Sequence, residues 1–255
     1  MLFRSFSDLS RLIIDLRGNT VGYQSSVKNV CGLFIGRDKV YLKQRDVYGN
    51  EVSDYTPNTT YYDNFRKIVV LIDENTASAA EVCAICLKEQ HEDVTLVGTT
   101  TFGKGVIQST IPLKNGAALK MTTYYWYSPN GVSVHGKGIA PDVEVRMPDI
   151  YYMTYEDIDE DTSYGYDDVS DNVGICQYAL DYLGYEVDRT DGYFSQDTQE
   201  ALKAFEGDRG LAVDGMLDSE TFQALISSVT RSFSLDQEKD PQLVKAKEII
   251  NEYQH

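Results

Sequence analysis

The chain has 255 residues with 42% hydrophobic content and a formal net charge of -17, enough for a full core plus a smaller second module. Residues 1–146 are near neutral, with 16 basic and 15 acidic groups, whereas residues 147–255 carry 7 basic and 25 acidic groups. So acidic a C-terminal half repels phosphate backbones, which argues against nucleic acid as a partner.

The N-terminal stretch "MLFRSFSDLSRLIIDLRGN" is interrupted by Asp8, Arg11 and Asp15, so it offers neither a signal peptide nor a membrane span. "RLIIDLRGN" reads as a short buried strand ending in a polar turn, and "YQSSVKNVCGLFIG" as a helix closed by Gly36. "KVYLKQRDVYGNEV" is a hairpin about Tyr-Gly-Asn. "KIVVLID", "SAAEVCAICLKEQ" and "VTLVGTT" then give strand, helix, strand. The alternation is an α/β pattern whose buried strands require cover on both faces. From Gly103 the texture turns to β, through "GVIQSTIPL" and "AALKMTTYYWYSPNGVSV", and the first domain closes near "GIAPDVEV".

Residues 147–171 hold no lysine or arginine and many Asp, Glu and Tyr, the composition of a solvated linker; the tyrosines leave open that it lies along a core. An internal repeat follows: "DGYFSQDTQEAL" (191–202) matches "DGMLDSETFQAL" (214–225) at an offset of 23, each half a turn leading into a helix with an acidic, hydroxyl-rich cap. With "NVGICQYALDYLGY" these halves make a small three-helix domain over 172–229. In the final segment, 230–255, Asp240-Pro241 opens a helix whose Leu243, Ala246, Ile250 and Tyr253 share one face. That stripe either docks on its own domain or forms a homodimer.

Chemistry concentrates at two places. Ser78, in "DENTASAAEVCAIC", stands where a helix begins, so it is either a cap or a nucleophile set at the positive end of a helix dipole. His91 and His135 are the histidines available for a triad, with no G-x-S-x-G motif behind them. Lys104, between Gly103 and Gly105 and with no acidic neighbour in sequence, offers another base, because a lysine serves when burial disfavours its charged form. "GTTTFGKG" approaches a phosphate-loop pattern but has Gly105 in place of the hydroxyl and a strand in place of the helix. Cys83-Ala-Ile-Cys86 lies in an apolar run without a second cysteine pair or histidine cluster, so buried thiols are favoured over a metal or redox site.

Together, "LIIDLRGN", "VVLIDENTASAAE", "VGTTTFGKGVIQ" and "YYWYSPNGVSVHGKGIAPDVEV" resemble, in order, the blocks of the C-terminal processing peptidases, serine endopeptidases with a Ser-Lys dyad that cut proteins near their C-termini. The resemblance implies a mixed-sheet α/β catalytic domain, with Ser78 as nucleophile, Lys104 as base and Gln108 as its orienter. It also implies an oxyanion hole from the N–H groups of Ala79 and a residue in the turn after "DLR". There the family has Pro-Gly-Gly and this chain Thr20-Val21-Gly22, which makes Gly22 the choice. No metal or cofactor is implied. The family's export signal, N-terminal helical segment and PDZ domain do not precede Met1. The expectation is therefore an N-terminally truncated core (1–146), weakly active or inactive alone, with a wall-binding or scaffold protein as the alternative function. Residues 172–229 resemble a peptidoglycan-binding domain, with Phe205-Glu206 where that domain usually has Phe-Gln. Protein substrates, peptidoglycan and a cell-envelope location follow as implied partners and place.

Overall fold

The computed structural model describes residues 9–57 and 60–252, which divide into two compact units: one takes in residues up to Arg146 and from Gln242 onward, the other spans 147–241. Tyr253, expected on the apolar stripe of the last helix, lies outside the described residues.

The first unit is mixed α/β. Strands β1 (Arg11–Asp15), β4 (Lys67–Ile72), β5 (Val94–Gly98) and β8 (Val143–Glu144) form a parallel sheet in the order β1-β4-β5-β8. Strands β2 (Val40–Arg45), β3 (Glu51–Tyr55), β6 (Val106–Pro112) and β7 (Ala118–Tyr127) form an antiparallel sheet in the order β3-β2-β7-β6. Between them in sequence run α1 (Gln24–Ile35) and α2 (Ala79–Gln90).

Every residue of β4 is buried, as expected of a central parallel strand covered on both faces. Ile68, Val70 and Ile72 face the core shared by α1 and α2, joined by Tyr41, Leu42 and Trp126 of the antiparallel sheet. Val69, Leu71 and Val97 point the other way and are covered by the last helix, α6 (Pro241–Glu252), through Leu243, Ala246, Ile249 and Ile250. Of the two readings of that apolar stripe, the structure selects docking on its own domain: the stripe finds cover at home. The reason is the alternation of strand side chains, which gives a fully buried strand two hydrophobic faces.

The second unit contains α3 (Asp171–Leu183), α4 (Gln196–Arg209) and α5 (Ser219–Leu235). The repeat is realised in its caps: Ser195 Oγ accepts from Thr198 N–H at 3.0 Å and Asp218 Oδ1 from Thr221 N–H at 2.8 Å, at equivalent positions of the two halves. Phe194, Leu202, Phe205, Leu217, Phe222 and Leu225 fill the core. The stretch 147–171 differs from the solvated linker expected for it. Ile150 and Ile158 are buried in this core, Met153 and Tyr164 pack against it, and Tyr164 bridges to Leu217. Its few apolar side chains are spaced among acids that stay at the surface, a pattern that bulk composition hides. The end of the helical region also moves, since α5 runs six residues past Val229 to Leu235.

Candidate active site

Ser78 lies at the N-cap of α2, beyond the C-terminal end of β4, the side of a parallel sheet where ligand sites collect. Its backbone is strained for a serine, with φ 58° and ψ -116°, a region that glycine tolerates and a branched Cβ does not. Two hydrogen-bonded neighbours hold it there. Ser78 N–H donates to Glu81 Oε2 at 2.9 Å, and Ala77 N–H donates to Asn19 O at 3.0 Å. Asn19 belongs to the turn after β1, which is tied to the loop before Ser78 at two more points. Gly18 N–H donates to both oxygens of Asp73 at 3.0 Å, and Thr76 Oγ1 donates to Leu16 O at 2.9 Å.

Lys104 reaches the same place from a different segment. Its loop, between β5 and β6, is gripped by Glu81, whose side chain is fully buried. Glu81 Oε1 accepts from Thr101 Oγ1 at 2.6 Å and Gly103 N–H at 2.7 Å, and Oε2 accepts from Lys104 N–H at 2.8 Å. Four donors thus compensate one buried carboxylate. A single oxygen, Oε2, joins the backbone of Ser78 to that of Lys104. On its other side the loop meets residues 134–139. Gly103, at φ +87°, leaves no room for a Cβ, which would lie 2.7 Å from Gly138 N. Trp126 Nε1 donates to Lys104 O at 2.8 Å.

A cavity of about 400 Å³ opens between these segments, lined by Ser78, Ala79, Lys104, Gln108 and Gly22, with Val27, Leu42, Val82 and Trp126 supplying apolar wall. All five residues expected to form the site therefore border one space. Among the described residues the Ala79 N–H, first of α2, has no hydrogen-bond acceptor, as helix geometry leaves it. Gly22 sits hard against that helix start: a Cβ on it would come 2.7 Å from Ala79 Cβ. Close approach, rather than backbone conformation, is what calls for glycine there. Gln108 is exposed on β6, directly after a register shift between Ile107 and Gln108. Among the described residues no hydrogen bond joins its amide to Lys104.

The rival readings separate in space. His91 lies at the far end of α2, with Nε2 3.1 Å from Phe65 O, and His135 packs edge-on to Tyr125; neither borders the cavity. The loop before Lys104 leads into strand β6 and not a helix, so the phosphate-loop pattern has no helix N-terminus to offer. Cys31, Cys83 and Cys86 are buried and free between α1 and α2. Hydrogen bonding to Cys31, together with burial, pushes the Cys83 thiol well up, which keeps it from acting as a thiolate. Sequence reasoning missed Glu81. Its signal was present, since an acidic residue three positions after a helix-starting serine is a capping-box pattern; its grip on residues 101–104 was not.

Residues 2–145 match Peptidase family S41, and residues 169–225 match a peptidoglycan binding domain. The carboxy-terminal processing protease CtpB of Bacillus subtilis is 33% identical over 240 residues, covering 94% of this chain and 48% of that protein. CtpA of the same organism is 32% identical over 238 residues, covering 93% and 49%. This chain thus spans about half the length of these curated relatives. Among solved structures, the photosystem II D1 C-terminal processing protease aligns with a TM-score of 0.50 at 29% identity, over 55% of this chain and 35% of that one.

Proposed function

Because the chain belongs to peptidase family S41, we propose that the cavity at the start of α2 hydrolyses peptide bonds of protein substrates near their C-termini, with Ser78 as nucleophile and Lys104 as general base. The observation that carries this reading is that Ser78, Ala79, Lys104, Gln108 and Gly22, drawn from separate segments, line one cavity. Ser78 Oγ adds to the scissile carbonyl carbon as the Lys104 amine takes its proton. The oxyanion so formed accepts hydrogen bonds from Ala79 N–H and Gly22 N–H, the first reinforced by the α2 dipole. Collapse of the intermediate breaks the C–N bond; the ammonium of Lys104 returns the proton to the leaving amine, and an acyl-Ser78 ester remains. Water, deprotonated by Lys104, adds to the ester carbonyl; collapse breaks the C–Oγ bond, Lys104 returns the proton to Ser78 Oγ, and the new C-terminus is released. Gln108, which borders the same cavity, orients the lysine.

The helical unit, which includes the residues matching a peptidoglycan binding domain, anchors the chain to the wall of the cell envelope. The test uses the full chain on an unfolded polypeptide. Ser78→Ala and Lys104→Ala each lower kcat/KM by about 10³-fold or more; undiminished cutting by either variant defeats the dyad. Cosedimentation with purified sacculi tests the anchor separately, and a chain left wholly in the supernatant defeats it while leaving the protease reading standing.

A further inference from the structure

The turn that carries Gly22 is supported from the far end of the sequence. Gln242, near the start of α6, has no exposed surface, and both ends of its amide are used. Oε1 accepts from Arg17 Nη1 at 3.1 Å, and Nε2 donates to Val145 O at 2.8 Å. The Arg17 guanidinium also forks onto Asp15, with Nε 3.0 Å from Oδ1 and Nη2 2.7 Å from Oδ2. Nη1, which lies outside that fork, is the group that reaches Gln242. From Arg17 the bonded path to the nucleophile is short: Leu16 O takes Thr76 Oγ1, Gly18 N–H reaches Asp73, and Asn19 O takes the N–H of Ala77, the residue before Ser78. Arg17 and Gln242 are 225 positions apart, with residues 147–241 forming a unit of their own between them.

Docking of α6 does not explain this amide. Leu243, Ala246, Ile249 and Ile250 already cover Val69, Leu71 and Val97, and Arg11 Nη1 donates to Ile250 O at 2.9 Å. Apolar cover for the sheet needs no amide at this position; what the amide adds is the bond accepted from Arg17 and the bond donated to Val145 O, both of which a leucine would leave unmade.

We infer that Gln242 is a positioning residue for the peptidase site: it fixes Arg17, and through Arg17 it sets the Leu16–Gly22 turn against the Ser78 loop, so that the Gly22 N–H faces the oxyanion. This rests on the reading of Ser78 and Gly22 given above. The catalytic unit is then completed only when the chain beyond the helical unit has returned to it.

The test measures hydrogen exchange and peptide cleavage on the full chain with Gln242→Leu and Gln242→Glu. In the leucine form the amides of 15–22 and 76–79 exchange about tenfold faster, the scale of one lost hydrogen bond to a charged group. Those of α6 keep their parent rates. The glutamate form, which still accepts from Arg17, restores most of the protection. In parallel, the leucine form lowers kcat about tenfold with KM held within about twofold. Unchanged exchange at 15–22, loosening of α6 together with the turn in both variants, or an unchanged kcat despite a loosened turn each overturns the inference. A parent chain that shows no Ser78-dependent cleavage defeats the peptidase reading instead, and the exchange measurements still decide whether Gln242 holds the turn.

Discussion

At the scale of the residue, the telling feature of Ser78 is its backbone. A φ of 58° with a ψ of -116° is the conformation of the first central position of a type II′ turn, where glycine is at ease. A serine held there stores on the order of 1–3 kcal/mol. The strain is offset by Glu81, which accepts from the Ser78 N–H, and by Asn19, which accepts from the Ala77 N–H. An ordinary helix cap needs no such conformation, since N-cap residues normally adopt extended backbone, as Ser170 and Ser195 do here. Relief of the strain separates stability from activity. The Ser78→Gly form unfolds at higher urea than the Ser78→Ala form, by about 1 kcal/mol, after allowance for the greater entropy of unfolded glycine. Both forms lose cleavage. A Ser78→Gly protein less stable than Ser78→Ala would mean that no strain is stored at this position.

At the scale of the element, α4 closes by reaching forward to the turn that opens α5. Glu206 is fully buried; its Oε2 accepts from Asp214 N–H at 3.1 Å and Gly215 N–H at 3.0 Å, while its buried Oε1 has no hydrogen-bond partner among the described residues. Burial raises the Glu206 carboxyl above the usual glutamate value, and the charges of Asp214 and Asp218 push the same way against the two backbone donors. The folded helical unit therefore takes up this proton at a higher pH than the unfolded chain does. Stability at this site is lost as pH rises through the folded value and recovered as pH falls toward the ordinary glutamate range. Denaturant unfolding at a series of pH values between about 7 and 4.5 should show the parent gaining stability on acidification relative to the Glu206→Gln form. A parent that loses ground to that form over the same window would contradict the sign. Legibility at this scale follows the range of the interaction. Elements set by local pattern, such as the apolar run of β4 or the paired caps of Ser195 and Asp218, could be read directly. Ser78, Lys104, Gln108, Ala79 and Gly22 could be brought together only because four separate blocks kept their order. What stayed hidden had partners far away in the chain: the cover of α6 on Val69, Leu71 and Val97, and the hold of Glu81 on residues 101–104. A helical stripe announces that cover is required and carries no information on which strand supplies it.

At the scale of the whole molecule, charge and architecture are partitioned together. The unit of residues 147–241 carries 5 basic and 23 acidic groups, which accounts for the whole imbalance of the chain. Five of those acids, Asp181, Glu186, Asp188, Asp197 and Glu200, line one open cleft between α3 and α4. If this module docks on a carboxylate-bearing wall, as proposed above, it does so against a long-range repulsion. Whatever recognition it achieves must come from short-range hydrogen bonds and apolar contact. The two contributions respond oppositely to salt. At about 10 mM salt the Debye length is about 30 Å and the repulsion acts before contact; at about 150 mM it contracts to about 8 Å, and only the contact terms remain. Binding of the full chain to purified sacculi should accordingly strengthen as salt rises over that range, the reverse of a module that docks through lysine and arginine. Cosedimentation at the two salt concentrations measures this directly. Weaker binding at the higher concentration would show that the few basic side chains, and not the surface that repels the wall, make the contact.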